Sequence, residues 1–380
     1  MRFVTYHPQL FIMDINTNHY HSVKFYDDFG YNIKQIVACF GNPLQEPIRI
    51  GDFVFILTYD GKVYGIGNNG GGIFAINPET MKQAKNFTQI EGLSEIIQIS
   101  ASDSYLLSLN SQGDVYITGV PNIIEDTDDF SSWDKYTWEP IKILGLPKIT
   151  QVVAGNHVAI FLDYLGHVWY VGCINYAYDS KSKINPWIHI PRLLEFKSKK
   201  EQETKIIKIT IKDNFGGLLG ENGEYWLFGI ENKNKPIWGT LNNNSNHPKF
   251  IDIVAFAYAN YVYLLDELGG VWRMWKMAHT TESCDKIDLD FQVKKIVSPY
   301  IFVDNYGVVH TIFNNHHEIW TIKHENTNDI VKVLIEPTVF LEGGNGYVIG
   351  ISQPLIIPSI LKQISSYSNI HEQIMEYYYD

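Results

Sequence analysis

The chain has 380 residues, 45% of them apolar and 14% aromatic, and a formal net charge of −12. That much apolar material supports a large core, and an acidic balance with no dominant Lys/Arg run excludes a broad duplex-binding surface, which needs clustered cations to displace counterions. Three widely spaced cysteines, Cys39, Cys173 and Cys284, exclude a disulfide framework and imply a reducing intracellular compartment, cytoplasmic or nuclear.

Residues 1–8 hold no apolar run of the signal-peptide kind, and no stretch reaches the length of a membrane span, so neither classical secretion nor a span is expected. Residues 10–15 read as a strand that precedes a series of repeats. The run Ile36-Val37-Ala38-Cys39 suits an inner strand, and beyond it Asp60-Gly61 separates Leu57 from Val63-Tyr64. Asp-Gly between alternating apolar runs predicts a hairpin with a type I′ turn, whose central residues need positive φ.

The same frame returns at Leu109…Gly113-Asp114-Val115-Tyr116, Leu162…Gly166-His167-Val168-Trp169, Leu219…Gly223-Glu224-Tyr225-Trp226 and Leu265…Gly269-Gly270-Val271-Trp272. Two degenerate copies follow, Val303…Gly307-Val308-Val309-His310 and Leu341…Asn345-Gly346-Tyr347-Val348. The last places Asn at the turn position, the residue next most tolerant of positive φ. The turn positions 61, 113, 166, 223, 269, 307 and 345 lie 38 to 57 residues apart, which suits one four-stranded propeller blade per copy. Apolar runs such as Val152-Val153-Ala154 and Ile253-Val254-Ala255 stand ahead of the turns as inner strands, and Gly67, Gly119, Gly172 and Gly229 mark where third strands end. Near the C-terminus, Ile370, Ile374, Met375 and Tyr378 predict one short amphipathic helix.

The expected fold is all-β: a seven-bladed β-propeller of four-stranded antiparallel blades over residues 1–355. Its ring is closed by the N-terminal strand, and a short C-terminal helix or tail, 356–380, packs on it. A monomer is expected. Other propeller types fail on phase. The Gly-Gly doublets at 71, 216, 269 and 343 fall at +10, −7, 0 and −2 from the turn position, out of register for kelch blades. Trp133-Asp134 is the only Trp-Asp pair, which excludes WD repeats.

The frame Leu-x-x-x-Gly-x-Val-Tyr/Trp-x-x-Gly resembles the regulator of chromosome condensation repeat family over residues 33–351. Gly67-Asn68-Asn69-Gly70-Gly71-Gly72 continues the first copy as that family does, and Ala154-Gly155 matches its Ala-Gly before a second strand. Eight residues before the turn, where the family commonly places His, stand Phe53, Tyr105, Val158, Phe215, Tyr261, Pro299 and Pro337, the pattern of a divergent member. The resemblance implies a scaffold whose loops bind proteins. In the family's namesake an insertion reaches the nucleotide region of the small GTPase Ran, and an arginine-bearing segment reaches the nucleosome.

Motifs of enzyme chemistry are absent from the sequence. Gly65-Ile66-Gly67-Asn68-Asn69-Gly70 fits a dinucleotide fingerprint but lies in a hairpin, without the helix that would hold a pyrophosphate, so turn glycines account for it. His19 with His21, and His316 and His317 with His324, lack the spacing of a full zinc set. Asp126-Thr127-Asp128-Asp129 lacks the central Gly and final Glu of a calcium loop. Trp169, Trp226 and Trp272 share one repeat position and read as blade packing.

Binding residues concentrate on loops of rigid scaffolds. The insertion 121–140 offers Asp126, Asp128, Asp129, Trp133, Tyr136 and Trp138, and the insertion 197–205 offers Lys197, Lys199 and Lys200, as candidate partner contacts. No catalytic, cofactor-binding or metal-binding residue is expected. The leading reading is a non-enzymatic protein-interaction scaffold. The alternative is guanine-nucleotide exchange on a Ran- or Arf-like GTPase, the third is chromatin binding, and a propeller glycosidase or lectin is fourth.

Overall fold

The structure is a computed structural model that describes residues 9–14, 19–22, 32–38, 53–119, 138–156, 158–172, 188–194, 204–212, 215–228, 239–240, 248–255, 261–275, 283–298, 301–306, 308–313, 316–319, 321–323, 330–332, 341–343 and 347–352. Among these residues it is almost wholly β: seven four-stranded antiparallel sheets, one hairpin pairing Thr321–Lys323 with Ile330–Lys332, and one 3₁₀ turn at Gly70–Gly72. The expected C-terminal helix falls outside the described residues.

The first sheet takes Ile33–Ala38, Phe53–Thr58, Val63–Asn68 and Gln83–Gln89 in order, and the second takes Ile96–Ala101, Tyr105–Asn110, Val115–Gly119 and Ile141–Lys142. The third is Ile149–Ala154, Val158–Asp163, Val168–Gly172 and Ile188–Leu193; the fourth is Ile206–Lys212, Phe215–Gly220, Tyr225–Phe228 and Gly239–Thr240. Phe250–Ala255, Tyr261–Asp266, Val271–Trp275 and Ser283–Lys286 make the fifth, and Val293–Ser298, Ile301–Asp304, Val309–Phe313 and His316–Ile319 the sixth.

The seventh sheet draws on both ends of the chain. Leu341–Gly343 pairs with Tyr347–Ser352, which pairs with Gln9–Asp14, and His19–Ser22 lies outermost. This corrects the reading of position 345 as a seventh equivalent turn. The other six turns join the two middle strands of a sheet, whereas the strands flanking 345 are an edge strand and its neighbour. The N-terminal strand fills the third place, so the sheet has no hairpin there.

Sequence pattern follows from placement. All six residues of Phe53–Thr58 are buried, as are those of Tyr105–Asn110, Val158–Asp163 and Phe215–Gly220. A strand covered by neighbouring sheets on both faces needs apolar side chains on both, hence uninterrupted runs in place of alternation. First strands alternate instead: Ile96, Ile99 and Ala101 are buried while Gln98 and Ser100 are half-buried. Each pair of successive sheets from first to sixth encloses its own cluster, such as Tyr105, Leu107, Val152 and Phe161 between the second and third.

Contact passes from first strand to first strand between the first and fifth sheets. Tyr261–Asp266 then meets Val293–Ser298 of the sixth, and Leu341–Gly343 meets the first strands of both the sixth and the first sheets. Among the described residues no helix is long and apolar enough to cross a membrane.

The turns differ from the expected type. In Thr58–Lys62 the Thr58 amide donates to Lys62 O at 2.9 Å and the Gly61 amide to Thr58 O at 3.0 Å, enclosing Tyr59, Asp60 and Gly61. Of these three only Gly61 has positive φ, +78°. A three-residue loop ending in a left-handed glycine is a type I turn with a bulge, not a type I′ turn, which would need two such residues.

Candidate functional site

The turn glycines are joints between sheets. The carbonyls of four of them accept an amide from the start of the next sheet's first strand: Ile96 to Gly61 at 3.1 Å, Ile149 to Gly113 at 3.0 Å, Ile206 to Gly166 at 3.1 Å and Val293 to Gly269 at 2.9 Å. Space is as tight as the conformation is special. At Gly166, φ is +90°, and a Cβ would stand 2.4 Å from Lys205 Cγ and 3.1 Å from the Ile206 nitrogen.

Side chains add a second joint deeper in. Gln98 Oε1 accepts the Val152 amide at 3.0 Å while its Nε2 donates to Val152 O at 3.2 Å, bridging to the next first strand. Gln35 does the same with Ile99, and Gln151 with Ile209. Lys208, at the equivalent position, makes an ion pair with Asp252. Tyr105, eight residues before its turn glycine, donates its hydroxyl to Gly155 O at 2.6 Å, tying the second sheet to the third.

Five of the turns are held from below by the side chain of the residue three before the turn position: Thr58, Asn110, Asp163, Asp266 and Asp304. Asp163 Oδ1 accepts the Leu165 and His167 amides, both at 2.9 Å, while Oδ2 accepts Trp169 Nε1 at 3.1 Å. Asp266 repeats the arrangement with Leu268, Gly270 and Trp272. In the sixth sheet Asp304 Oδ1 accepts the Tyr306 and Val308 amides, and His310 Nε2 takes the indole's place 3.0 Å from Oδ2, its ring stacked on Phe291. The tryptophans therefore do pack blades, and two of them also clamp turns. The Asp304 carboxyl feels burial, which works to raise its pKa, but His310 and the two amides together hold it below the ordinary value. In the fourth sheet Gly220 replaces the carboxylate, and the Trp226 ring covers it.

All six turns, and the starts of the six first strands, lie at one end of the sheets. Antiparallel pairing requires this, because the start of a first strand faces the end of a second. Each of these first strands also bulges one residue after its start, at Lys34, Ile97, Thr150, Ile207, Ile251 and Lys294. A bulge turns its side chain out of the ladder, and Ile207 and Ile251 are about half exposed. Tyr59, Tyr164, Leu165, Leu268 and Tyr306 stand exposed at the turn tips of the same face. Apolar side chains held beside inter-sheet backbone hydrogen bonds make this face the candidate site. At the same end, hydrogen bonds from Gln112 and Ser111 lower the Glu95 pKa, and those from Thr58 and Asn32 lower that of Asp60.

The residues singled out from sequence are only partly placed. Asp126, Asp128, Asp129, Trp133 and Tyr136, with Lys197, Lys199 and Lys200, lie outside the described residues. Trp138 is described: it is half-buried, its ring lying where a Cβ on Gly72 would stand, against the turn that follows the first sheet's third strand. The strand ends flanking 120–137 are at the end opposite the turns, whereas those flanking 195–203 are at the turn end. Sequence reading missed the turn tips and bulges because single exposed apolar residues carry no signal until register aligns them.

No family model and no curated protein match the sequence. Solved structures match by fold. The chain is similar to human WBSCR16, with a TM-score of 0.65 and 11% identity over 92% of this chain and 100% of that one. It is also similar to Prp20p from Saccharomyces cerevisiae, a structure described with its binding properties to Gsp1p and histones. There the TM-score is 0.61 with 14% identity, over 97% of each chain. A second yeast structure, of Kap60 bound to yeast RCC1 (Prp20), gives 0.47 and 10% over 96% of this chain and 92% of that one. The fold is thus that of the chromosome condensation regulator propellers.

Proposed function

We propose that the protein is a non-enzymatic interaction scaffold: a seven-bladed propeller closed into a ring by its N-terminal strand, with the turn-bearing face as a protein-binding surface. The pairing of Gln9–Asp14 with Tyr347–Ser352 supports closure, as does the contact of Leu341–Gly343 with the first strands of both neighbouring sheets. The observation that carries the functional reading is the set of exposed apolar tips, Leu268 and Tyr306 foremost, on a frame of inter-sheet hydrogen bonds. Preorganised apolar residues lose little entropy on binding.

The acidic and aromatic group Asp126, Asp128, Asp129, Trp133, Tyr136 and Trp138 is proposed as a second contact region, departing from the opposite end. Lys197, Lys199 and Lys200 are proposed to extend the turn-bearing face. The test is affinity purification from the native host with the full chain, beside a Leu268→Asp/Tyr306→Asp variant. Specific proteins recovered by the first and lost by the second are expected. Recovery of none would sink the scaffold reading.

A second reading, guanine-nucleotide exchange on a small GTPase, is favoured by the fold shared with Prp20p and its binding to Gsp1p. Exchange needs only differential binding to the nucleotide-free state. Micromolar full-length protein that fails to speed nucleotide release from a panel of Ran- and Arf-like GTPases removes it. Histone binding, described for the same yeast protein, is the third reading.

A further inference from the structure

At three successive joints the residue ahead of the first strand is a lysine: Lys148, Lys205 and Lys249. Each lays its stem across the preceding turn glycine, so that a Cβ there would stand 2.5 Å from Lys148 Cγ, 2.4 Å from Lys205 Cγ and 2.8 Å from Lys249 Cγ. All three are exposed. A stem packed on backbone in an exposed residue is the arrangement of a snorkelling lysine, whose charged head stays in water.

The backbone is pinned from two sides. The Lys148, Lys205 and Lys249 carbonyls accept amides from Tyr164, Glu221 and Glu267 at their own turns, at 3.2, 3.0 and 3.1 Å. The Ile149 and Ile206 amides bond the turn before. Two residues after the second and third lysines come the exposed bulge residues Ile207 and Ile251. The spacing cation, buried residue, exposed isoleucine is thus repeated at adjacent joints on one face.

We infer that this arc binds an acidic protein segment that carries its carboxylates between apolar side chains. The inference rests on the scaffold reading and narrows its partner. Charge complementarity sets the carboxylates opposite the lysines, and Ile207 and Ile251 supply apolar contact that a polyanion does not use. Glu221 and Glu267, at the tips beside the cations, repel a uniformly anionic polymer, so a mixed segment fits better than nucleic acid or a phospholipid surface.

The probe is a random 12-residue peptide library selected on the immobilised full chain, the winners then measured by fluorescence anisotropy. Peptides rich in Asp or Glu together with Leu, Ile or Phe are expected. Lys148→Gln/Lys205→Gln/Lys249→Gln, which keeps the stems and removes the charges, should weaken them about tenfold or more. Ile207→Ser/Ile251→Ser should weaken them comparably. Peptides without carboxylates, binding unchanged in the lysine variant, or no selected peptide at all overturns the inference. So does binding of duplex DNA or phosphatidylserine vesicles that only the lysine variant loses. Host proteins still captured by the wild type and the lysine variant alike would leave the scaffold reading standing while the acidic-segment inference falls.

Discussion

A glycine whose backbone conformation and surroundings are both unusual resists even a methyl group. Gly166 meets both conditions, and at positive φ a side chain alone costs on the order of 1–3 kcal/mol. Gly166→Ala should lower stability by more than that in urea denaturation, because crowding adds to the backbone cost, with Gly145→Ala as the contrast. Gly145 also has positive φ, but a Cβ there would meet nothing closer than Pro191 Cδ at 3.9 Å. An effect at Gly166 no larger than at Gly145 would show that crowding at the joint does not matter. Asp304 gives a residue-scale test in pH. Its carboxyl lies below its ordinary value, so the folded chain binds fewer protons than the unfolded one near that value. The group therefore stabilises the fold above about pH 4, and this is lost as pH falls through the depressed value. Asp304→Asn should be less stable than the wild type at pH 7 and should lose less stability on acidification, read from thermal melts between pH 7 and 3.

Neighbouring strands are tied by groups that satisfy each other completely. The Gln98 carboxamide both donates to and accepts from Val152, and Gln35 and Gln151 repeat this at the joints on either side. Removing one partner leaves two backbone groups short of a bond in a half-buried seam. Gln98→Ala should therefore destabilise by about 1–3 kcal/mol. Gln98→Glu should be no better, because a carboxylate accepts the amide but cannot donate to the carbonyl. Equilibrium unfolding of both variants decides this, and a glutamate variant as stable as the wild type would count against the two-way bond. The glutamines were in the sequence, at the same offset in three copies, but nothing in a polar residue on a strand says that it reaches across to another sheet.

For the molecule as a whole, the seventh sheet joins residues 9–22 to residues 341–352. Its outer strands come from the N-terminus and its inner ones from the region after residue 340. Deleting residues 1–22 would leave Tyr347–Ser352 with an open edge, and exposed edges invite aggregation. The truncated chain should melt at a lower temperature and self-associate in analytical ultracentrifugation. A truncated chain that melts like the full one would refute ring closure by the N-terminal strand.

The all-β class, the four-stranded sheet and the left-handed glycines at 61, 113, 166, 223 and 269 are all legible in the sequence. These are local properties: positive φ at a glycine, apolar runs on either side, and a spacing that allows four strands. Gly113 and Gly166 were legible because backbone geometry restricts them to one residue type. The position at 345 was misread because the same local pattern also fits a hairpin at a sheet edge, and only pairing with a strand more than 300 residues earlier distinguishes the two. Tyr105 looked like erosion of a repeat position, yet in three dimensions it holds two sheets together. Tertiary structure alone aligned Lys148, Lys205, Lys249, Ile207 and Ile251 on one face. The three joints that carry them are separated in the chain by a full sheet each, and surface chemistry becomes a site only when packing brings such scattered residues side by side.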